Sequence, residues 1–532
     1  MMKEKIYLGL FFLLVTLGGC EPRTPKISTS KIIKINLGDD PHTLDPRLAR
    51  DTSSLALLRM FFEGLTRIAP SNCPELALAE NVVISEDLKT YTFILRKATW
   101  SNGDPIKASD FVYSWTSTLL PSFRSDTAFQ LYVIKNGKAL KEGKVPEVEL
   151  GVKAVGDQML VVTLEYPVPY FLELLAFPVF FPIHPQIDRE FPHWAEKKDH
   201  YVTNGPFLPT HWRSHDCLNV KKSPSYWDAS NVYIDGIDMI MVSEDVELKL
   251  FEKKELHWAG SPLSVLPLDS LNTFKQQGNL NVKLIAGTQF IRTNVEMFPF
   301  QNPKIRKAFA YAIDRAAIVE HVTQGGQLPA KGYVPSSLLP KMTSYFSPSD
   351  EQLARLLLKE GLEGMETSLK NLPQITLSYV ASERANLIAQ AIQQQWYQKL
   401  GIHVVLEGIE RKIYYDRLAR HDYQLSLGSW LADVTDPVNF LEIFKYKTQS
   451  TNNTNWENSH YIDLLNASFQ TKNFNERQEK LIMCEEILME EMPILPVYHY
   501  SMLYLKDEKL NGVFISSLGN LDFKWATLEN KK

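Results

Sequence analysis

Between Ile375 and Leu406 the apolar residues change period twice. Ile375, Leu377 and Tyr379 alternate as in a strand, while Leu387, Ala391, Ile392, Trp396 and Leu400 fall at helical spacing. Gly401 stops that helix, and Ile402, Val404 and Leu406 alternate again. A strand, helix and strand joined in this way form a β-α-β unit, whose parallel strands require a right-handed crossover. At least one lobe of the chain is therefore a helix-covered α/β sheet.

Other stretches add elements on the same grounds. Ile32, Ile33 and Ile35 read as a strand, DDPHTLDP as a turn, and Leu55, Leu58, Phe62 and Leu65 as the face of a helix ended at Ala69-Pro70. Tyr91 to Leu95 alternates, Asn102-Gly103 marks a turn, and Ser109 is placed to cap a helix carrying Phe111, Val112, Trp115 and Leu119. Met159 to Leu164 reads as a strand running into EYPVPY, where two prolines break pairing before a helix over FLELLAF. YVTNGPF, residues 201–207, reads as a strand broken by Asn-Gly-Pro. Asn302-Pro303 supplies a cap and a first-turn proline for a helix through Ile305, Phe309 and Ile313.

The start of the chain sets its compartment. Lys3 and Lys5 precede an apolar run from Ile6 to Leu17 that ends in Leu17-Gly18-Gly19-Cys20. The run falls short of the roughly 20 residues of a membrane-spanning helix and has the charged start and small-residue exit of an export signal. Leu-Gly-Gly-Cys also resembles the bacterial lipobox, in which cleavage leaves a lipid on the new N-terminal cysteine, here Cys20. The plainer alternative is an ordinary secretory signal with a chance cysteine. Residues 20–30, rich in Pro, Ser and Thr, suit a tether.

Cleavage before Cys20 shortens 532 residues by 19 to 513, enough for about three domains. It also removes two lysines and one glutamate, leaving 55 basic and 61 acidic side chains that never gather into a basic block. Binding to a nucleic acid backbone is not expected. Cys73, Cys217 and Cys484 lack the close spacing of a zinc site; Cys484 reads as a buried helix residue, and whether Cys73 pairs with Cys217 stays open. No HExxH, GxSxG or phosphate-cradling Gly-rich loop occurs, and HWAEKKDH, with its histidines seven apart, reads as a solvated surface.

Several stretches carry a family resemblance: DPHTLDPRLARDTSSLALLRMFFEGLTRI, TYTFILRKATWSNGDPIKASDFVYSW, YVTNGPF, SPSYWDAS, NPKIRKAFAYAIDRAAIVEHVTQGGQLPAKGYVP and MPILPVYHY. In this order they resemble the oligopeptide-binding proteins of ABC importers, the family 5 extracytoplasmic solute-binding proteins. The resemblance implies an α/β, two-lobed periplasmic-binding-protein-like clamp, type II and of the three-domain cluster C kind, that closes on its ligand by hinge motion. Implied domains are I (31–62, 191–288 and 505–532), II (63–190) and III (289–504). It further implies a monomer without enzymatic activity or cofactor, held by lipid on Cys20 at the extracytoplasmic face of a membrane. Such a protein engulfs an extended oligopeptide and delivers it to permease subunits with their ATPases.

Site residues follow by the same route. In the family a Trp-x-Ala-Asp motif provides the carboxylate for the peptide's α-amino group, and Trp430-Leu431-Ala432-Asp433 matches it. Asp433 is thus the expected amine anchor, with Trp430 either against the ligand or packed in the core, and Asp436, just before Pro437, the cap of the following helix. The best-known oligopeptide receptors carry an Arg six residues before the Asp, where this chain has Leu427, and a Lys in the segment corresponding to VEMFPF. The cation for the ligand's carboxylate is therefore sought elsewhere, with Arg292 and Arg411 ahead of Arg417 and Arg420. Tyr498, His499, Tyr226 and Trp227 are aromatic lining candidates, core packing being expected for Trp227, and Asn204 belongs to the Thr203-Asn204-Gly205 turn near the cleft. A different cargo in the same clamp (muropeptide, dipeptide, haem or metal chelate) is the alternative prompted by Leu427. An exported peptidase using Glu485 and Glu486 is the alternative of another class, but adjacent acids point to different sides of a helix.

Overall fold

A computed structural model describes residues 30–529 except 197, 340–343 and 347–349, so the export signal and Cys20 lie outside the described residues. Three sheets organise the chain. The first joins Ile32–Asn36, Gly236–Ile240, Cys217–Lys222 and Phe207–Arg213, and only its outer pair, Ile32–Asn36 with Gly236–Ile240, is parallel. The second is wholly antiparallel, in the order Ala79–Ile84, Thr90–Leu95, Met159–Thr163, Val152–Val155. These two sheets share one core, in which Ile33, Phe61, Phe93, Trp115, Phe171 and Ile237 are all buried. One lobe is thus built on both.

The third sheet carries the other lobe. Its order is Trp258–Gly260, Ile494–Lys506, Asn281–Thr293, Leu425–Leu431, Ile375–Val380, Val404–Ile409. The β-α-β unit is present as expected, with Ile375–Val380 and Val404–Ile409 parallel and the helix Glu383–Leu400 between them, ended by Gly401 in the left-handed conformation. Leu425–Leu431, hereafter the anchor strand, is parallel to Ile375–Val380 on its other side. Trp396 on the crossover helix is fully buried, and its Nε1 donates to the Phe309 carbonyl at 2.8 Å. Phe309 belongs to the helix Pro303–Tyr311, whose cap is the predicted Asn302, accepting from Lys304 N.

Asn281–Thr293 and Ile494–Lys506 are 13-residue strands that pair antiparallel with each other. Their far ends reach the first lobe, where Met502 and Tyr504 pack on its core, while Phe290, Leu495 and Tyr498 belong to the core of the second. Along both strands the chain passes between the two cores. Among the described residues no helix is long and apolar enough to cross a membrane.

Several local expectations need correction. The first helix is Thr52–Phe61 and does not run on through Leu65; the chain turns at Gly64, where a Cβ would meet the Leu175 carbonyl oxygen at 2.4 Å. Ser109 lies inside the helix Ala108–Leu119 and does not cap it; the Asp110 carboxylate accepts from Lys107 N at 3.1 Å and from Trp100 Nε1 at 3.0 Å. FLELLAF is helical only over Phe171–Leu174. Residues 201–206 form no strand, because their backbone is used elsewhere: Asn204 N and Gly205 N both donate to Phe61 O, at 3.1 and 2.7 Å. Cys73, Cys217 and Cys484 are all free thiols, Cys484 buried as expected.

Gly205 is required at its position by this close approach. A Cβ there would lie 2.5 Å from the Phe61 carbonyl carbon, which is backbone and cannot swing away. Gly205→Ala should lower unfolding stability by about 1 to 3 kcal/mol through overpacking. Denaturant titration would show this as a lower midpoint; an unchanged midpoint would mean that the turn gives way freely.

Candidate functional site

In open α/β sheets ligands bind outside the carboxyl ends of the parallel strands. Here those ends belong to Ile375–Val380, Val404–Ile409 and the anchor strand, and Asp433 follows the last of them by two residues. Ala432 N donates to Ala286 O at 2.8 Å, and Ala286 N to Ser517 O at 2.7 Å. The Asp433 segment is therefore stitched to a crossing strand and, through it, to the C-terminal part of the first lobe.

Asp433 itself is reached by solvent but crowded by protein, and that partial burial raises its carboxyl above the ordinary aspartate range, opposed by a hydrogen bond with the Asn439 side chain. It has no cationic partner among the described residues. Asn439 organises the anchor: its Oδ1 accepts from Asp433 N at 3.1 Å and from Trp430 Nε1 at 3.0 Å. Trp430 and Asp433 are thus linked through one side chain, and Trp430, partly buried, packs against the core of the second lobe. Asn439, which links them, was not anticipated, and its only signal in the sequence is its place six residues on in SWLADVTDPVNFL. Asp436 caps as expected, accepting from Val438 N at 2.9 Å, and also forms a paired ion bridge with Arg477 at 2.7 and 2.9 Å.

The other expected residues are distributed differently. Arg292 is buried inside the second lobe over the Phe290 ring, and its Nη1 lies where a Cβ on Gly428 would come within 1.6 Å. It is not at the mouth. Arg411 is exposed at the mouth edge of the sheet, opening the helix Arg411–Ala419 beside its cap Glu410. Arg417 and Arg420 are occupied by Glu407 and Asp416, at 3.1 and 2.6 Å. Leu427 is buried in the lobe core.

Asn204 is committed to structure: Oδ1 accepts from Glu63 N and Nδ2 donates to Glu63 O, both at 3.0 Å, so its amide has no free edge for a ligand. Trp227 packs against Arg96 at 3.7 Å and donates to Glu63, a structural role as expected; Tyr226 is buried and donates to the same carboxylate at 2.8 Å. Tyr498 is buried, and its hydroxyl and that of Tyr500 converge on Gln289 Oε1 at 3.5 and 2.5 Å. Gln289 Nε2 in turn donates to Gly428 O at 2.8 Å. Arg384, second residue of its helix and exposed, is a further cation that was not anticipated. His499 is buried, bonded to Thr288 Oγ1 at 2.9 Å and held neutral by burial, its pKa pushed down to about 4.

A two-lobed clamp with an unpaired carboxylate at the mouth of one lobe defines a class, the hinged ligand receptors. The sequence places the chain within it: residues 74–452 match the model of the bacterial extracellular solute-binding proteins, family 5 Middle, and the chain belongs to that family. It is 41% identical over 501 residues to the oligopeptide-binding protein OppA of Bacillus subtilis, covering 93% of this chain and 92% of that one. Among solved structures, the unliganded open form of the periplasmic murein tripeptide binding protein MppA matches with a TM-score of 0.84 at 26% identity, covering 94% of this chain and 98% of that one. Listeria monocytogenes OppA bound to peptide matches at 0.71 and 27% identity, covering 95% and 100%.

Glu485, one of the two adjacent acids considered for a peptidase, is fully buried and accepts from Tyr333 N at 2.7 Å and Val334 N at 3.0 Å. It pins the 333–334 backbone, and burial pushes its pKa up to about 8. A raised folded-state value means that the folded protein holds this proton more tightly than the unfolded chain, so stability is full below about pH 4.3 and lost as pH rises through 8. Glu485→Gln keeps the accepting oxygen and loses the titration. Melting temperatures from pH 6 to 9 should therefore fall less steeply in Glu485→Gln than in the wild type; parallel curves would contradict this.

Proposed function

We propose that this chain is a receptor that captures oligopeptides between its lobes and delivers them to the permease subunits of an ABC importer, without performing chemistry on them. The observation that carries this reading is Asp433: a carboxylate at the mouth of the second lobe, in the Trp-x-Ala-Asp sequence of the family, held by Asn439 and with no cationic partner among the described residues. Closure of the lobes on a peptide would take this carboxylate and the ligand's ammonium group out of water together, where the pair is worth most. The relative OppA of Bacillus subtilis, named for oligopeptide binding, supports the ligand class. Extended peptides would gain main-chain hydrogen bonds that do not depend on their side chains.

A second reading keeps the clamp and changes its cargo to a muropeptide, dipeptide, haem or metal chelate. Its support is Leu427, whose burial in the core leaves no basic group at that position for a ligand carboxylate. In either case the protein works at the extracytoplasmic face of a membrane, anchored through lipid on Cys20. Cys20→Ser should move it from the membrane fraction to the soluble fraction, and retention in the membrane would refute the lipid anchor.

Asp433→Asn should weaken binding of free-amine peptides by roughly 2 to 5 kcal/mol, because it leaves the ligand's ammonium facing a neutral amide. Titration calorimetry with each peptide and its N-acetylated counterpart checks this. Equal affinity for both, or an unaffected variant, would remove Asp433 from the site. Native mass spectrometry of ligands carried through purification distinguishes oligopeptides from the other cargoes.

A further inference from the structure

The loop that carries Asp433 does not stay within its own lobe. Ala432 and Val438 belong to the core of the second lobe, but Val434, only 2% exposed, is part of the core of the first. The next residue, Thr435, gives its backbone N–H to Glu173 Oε1 at 2.6 Å and its hydroxyl to Glu173 Oε2 at 2.7 Å. Glu173 lies on the short helix Phe171–Leu174, whose Phe171 and Leu174 pack in the first lobe. At Asp436 the chain returns, fastened by Arg477 on the second-lobe helix Phe474–Glu491. Nearby, Tyr166 meets Phe469 edge-on with ring centres 6.3 Å apart, and Tyr170 packs against both cores.

Asp433 therefore sits between two fixed points. On one side Ala432 N is bonded to the crossing strand at Ala286; on the other Thr435 is bonded to the opposite lobe. Glu173 is 4% exposed, and burial, with the like charge of Asp436 adding to it, pushes its pKa up to about 7. Above that pH it is ionised and its two bonds to Thr435 are charge-assisted.

We propose that Glu173 is a positioning residue for the amine anchor: by taking both hydrogens of Thr435 it fastens the Asp433 loop of the second lobe to the first and so sets the position of the carboxylate. The inference rests on the reading of Asp433 as the amine anchor. A group set in advance spends less ordering entropy when the ligand binds, so the gain falls on ligands that use that group. Peptides with a blocked amine cannot use it and are insensitive to the tie.

The test uses the full mature receptor at pH 7.5, with a free-amine peptide and its N-acetylated counterpart, by calorimetry. Thr435→Val removes the hydroxyl with almost no change of shape, Thr435→Ser retains it, and Glu173→Gln removes the charge. Thr435→Val and Glu173→Gln should each weaken the free-amine peptide by about tenfold and the acetylated one by less than about twofold, with Thr435→Ser close to wild type. Equal losses for both peptides would mean a general effect on the clamp and overturn the inference. It is also overturned, alone, if Asp433→Asn weakens free-amine binding while Thr435→Val and Glu173→Gln do not. If Asp433→Asn itself has no effect, the anchor reading fails and this inference with it.

Discussion

The two crossing strands decide what the rest of the molecule can do. Asn281–Thr293 and Ile494–Lys506 pair with each other along most of their length, so the lobes are joined by a ribbon stiffer than two separate linkers. The pairing is interrupted between Leu284 and Thr288, where the register shifts. Within that gap Ala286 donates to Ser517 of the first lobe's C-terminal loop and accepts from Ala432 of the anchor segment. Backbone groups that leave the ladder are satisfied by loops from each lobe, as buried peptide groups must be. The strand interruption and the segment leading to Asp433 thereby share one stretch of backbone, 285–287.

Charge placement separates structure from function. Arg47 is bonded to Asp45 and Asp188, which ties the DPHTLDPR turn to the second sheet's end of the lobe, and Arg67 bridges Glu63 and Asp522 across 455 residues of sequence. Those buried ions are fully partnered, as their desolvation demands. Asp433, by contrast, is exposed at the mouth and has no cationic partner among the described residues. Arg292 departs from that rule inside the lobe, stacked on Phe290 and hidden under the Gly428 backbone.

What could be read in advance follows the range of the forces involved. Period and capping act over a few residues, so the β-α-β unit over 375–409 and the Asn302-Pro303 helix start are visible in the string itself. Motif resemblance extends this to Asp433 and Trp430, which the fold does bring together. Pairings across hundreds of positions leave no local trace. YVTNGPF reads as a strand broken by Asn-Gly-Pro, yet its backbone is spent on Phe61, and Asn204, plausible as a ligand contact, is consumed by Glu63. The tie between Glu173 and Thr435 spans 262 residues and joins two unremarkable side chains.

The missing arginine at 427 has a physical consequence for selectivity. Leu427 is sealed in the core, and the cations left near the sheet edge, Arg384 and Arg411, are exposed on the first turns of their helices. Pairs between charges that stay exposed contribute about 0 to 1 kcal/mol, whereas truncating one partner of an ammonium–carboxylate pair that becomes desolvated, as the proposed Asp433 pair would when the lobes close, costs roughly 2 to 5. On the proposed reading, then, recognition is lopsided: the amine end of a ligand is fixed and its carboxylate end is only weakly held. A receptor built in this way does not measure the distance between the two ends. Its affinity is set by the first residues of a peptide and by its backbone, and ligands of different length are accepted so long as their N-terminus is free.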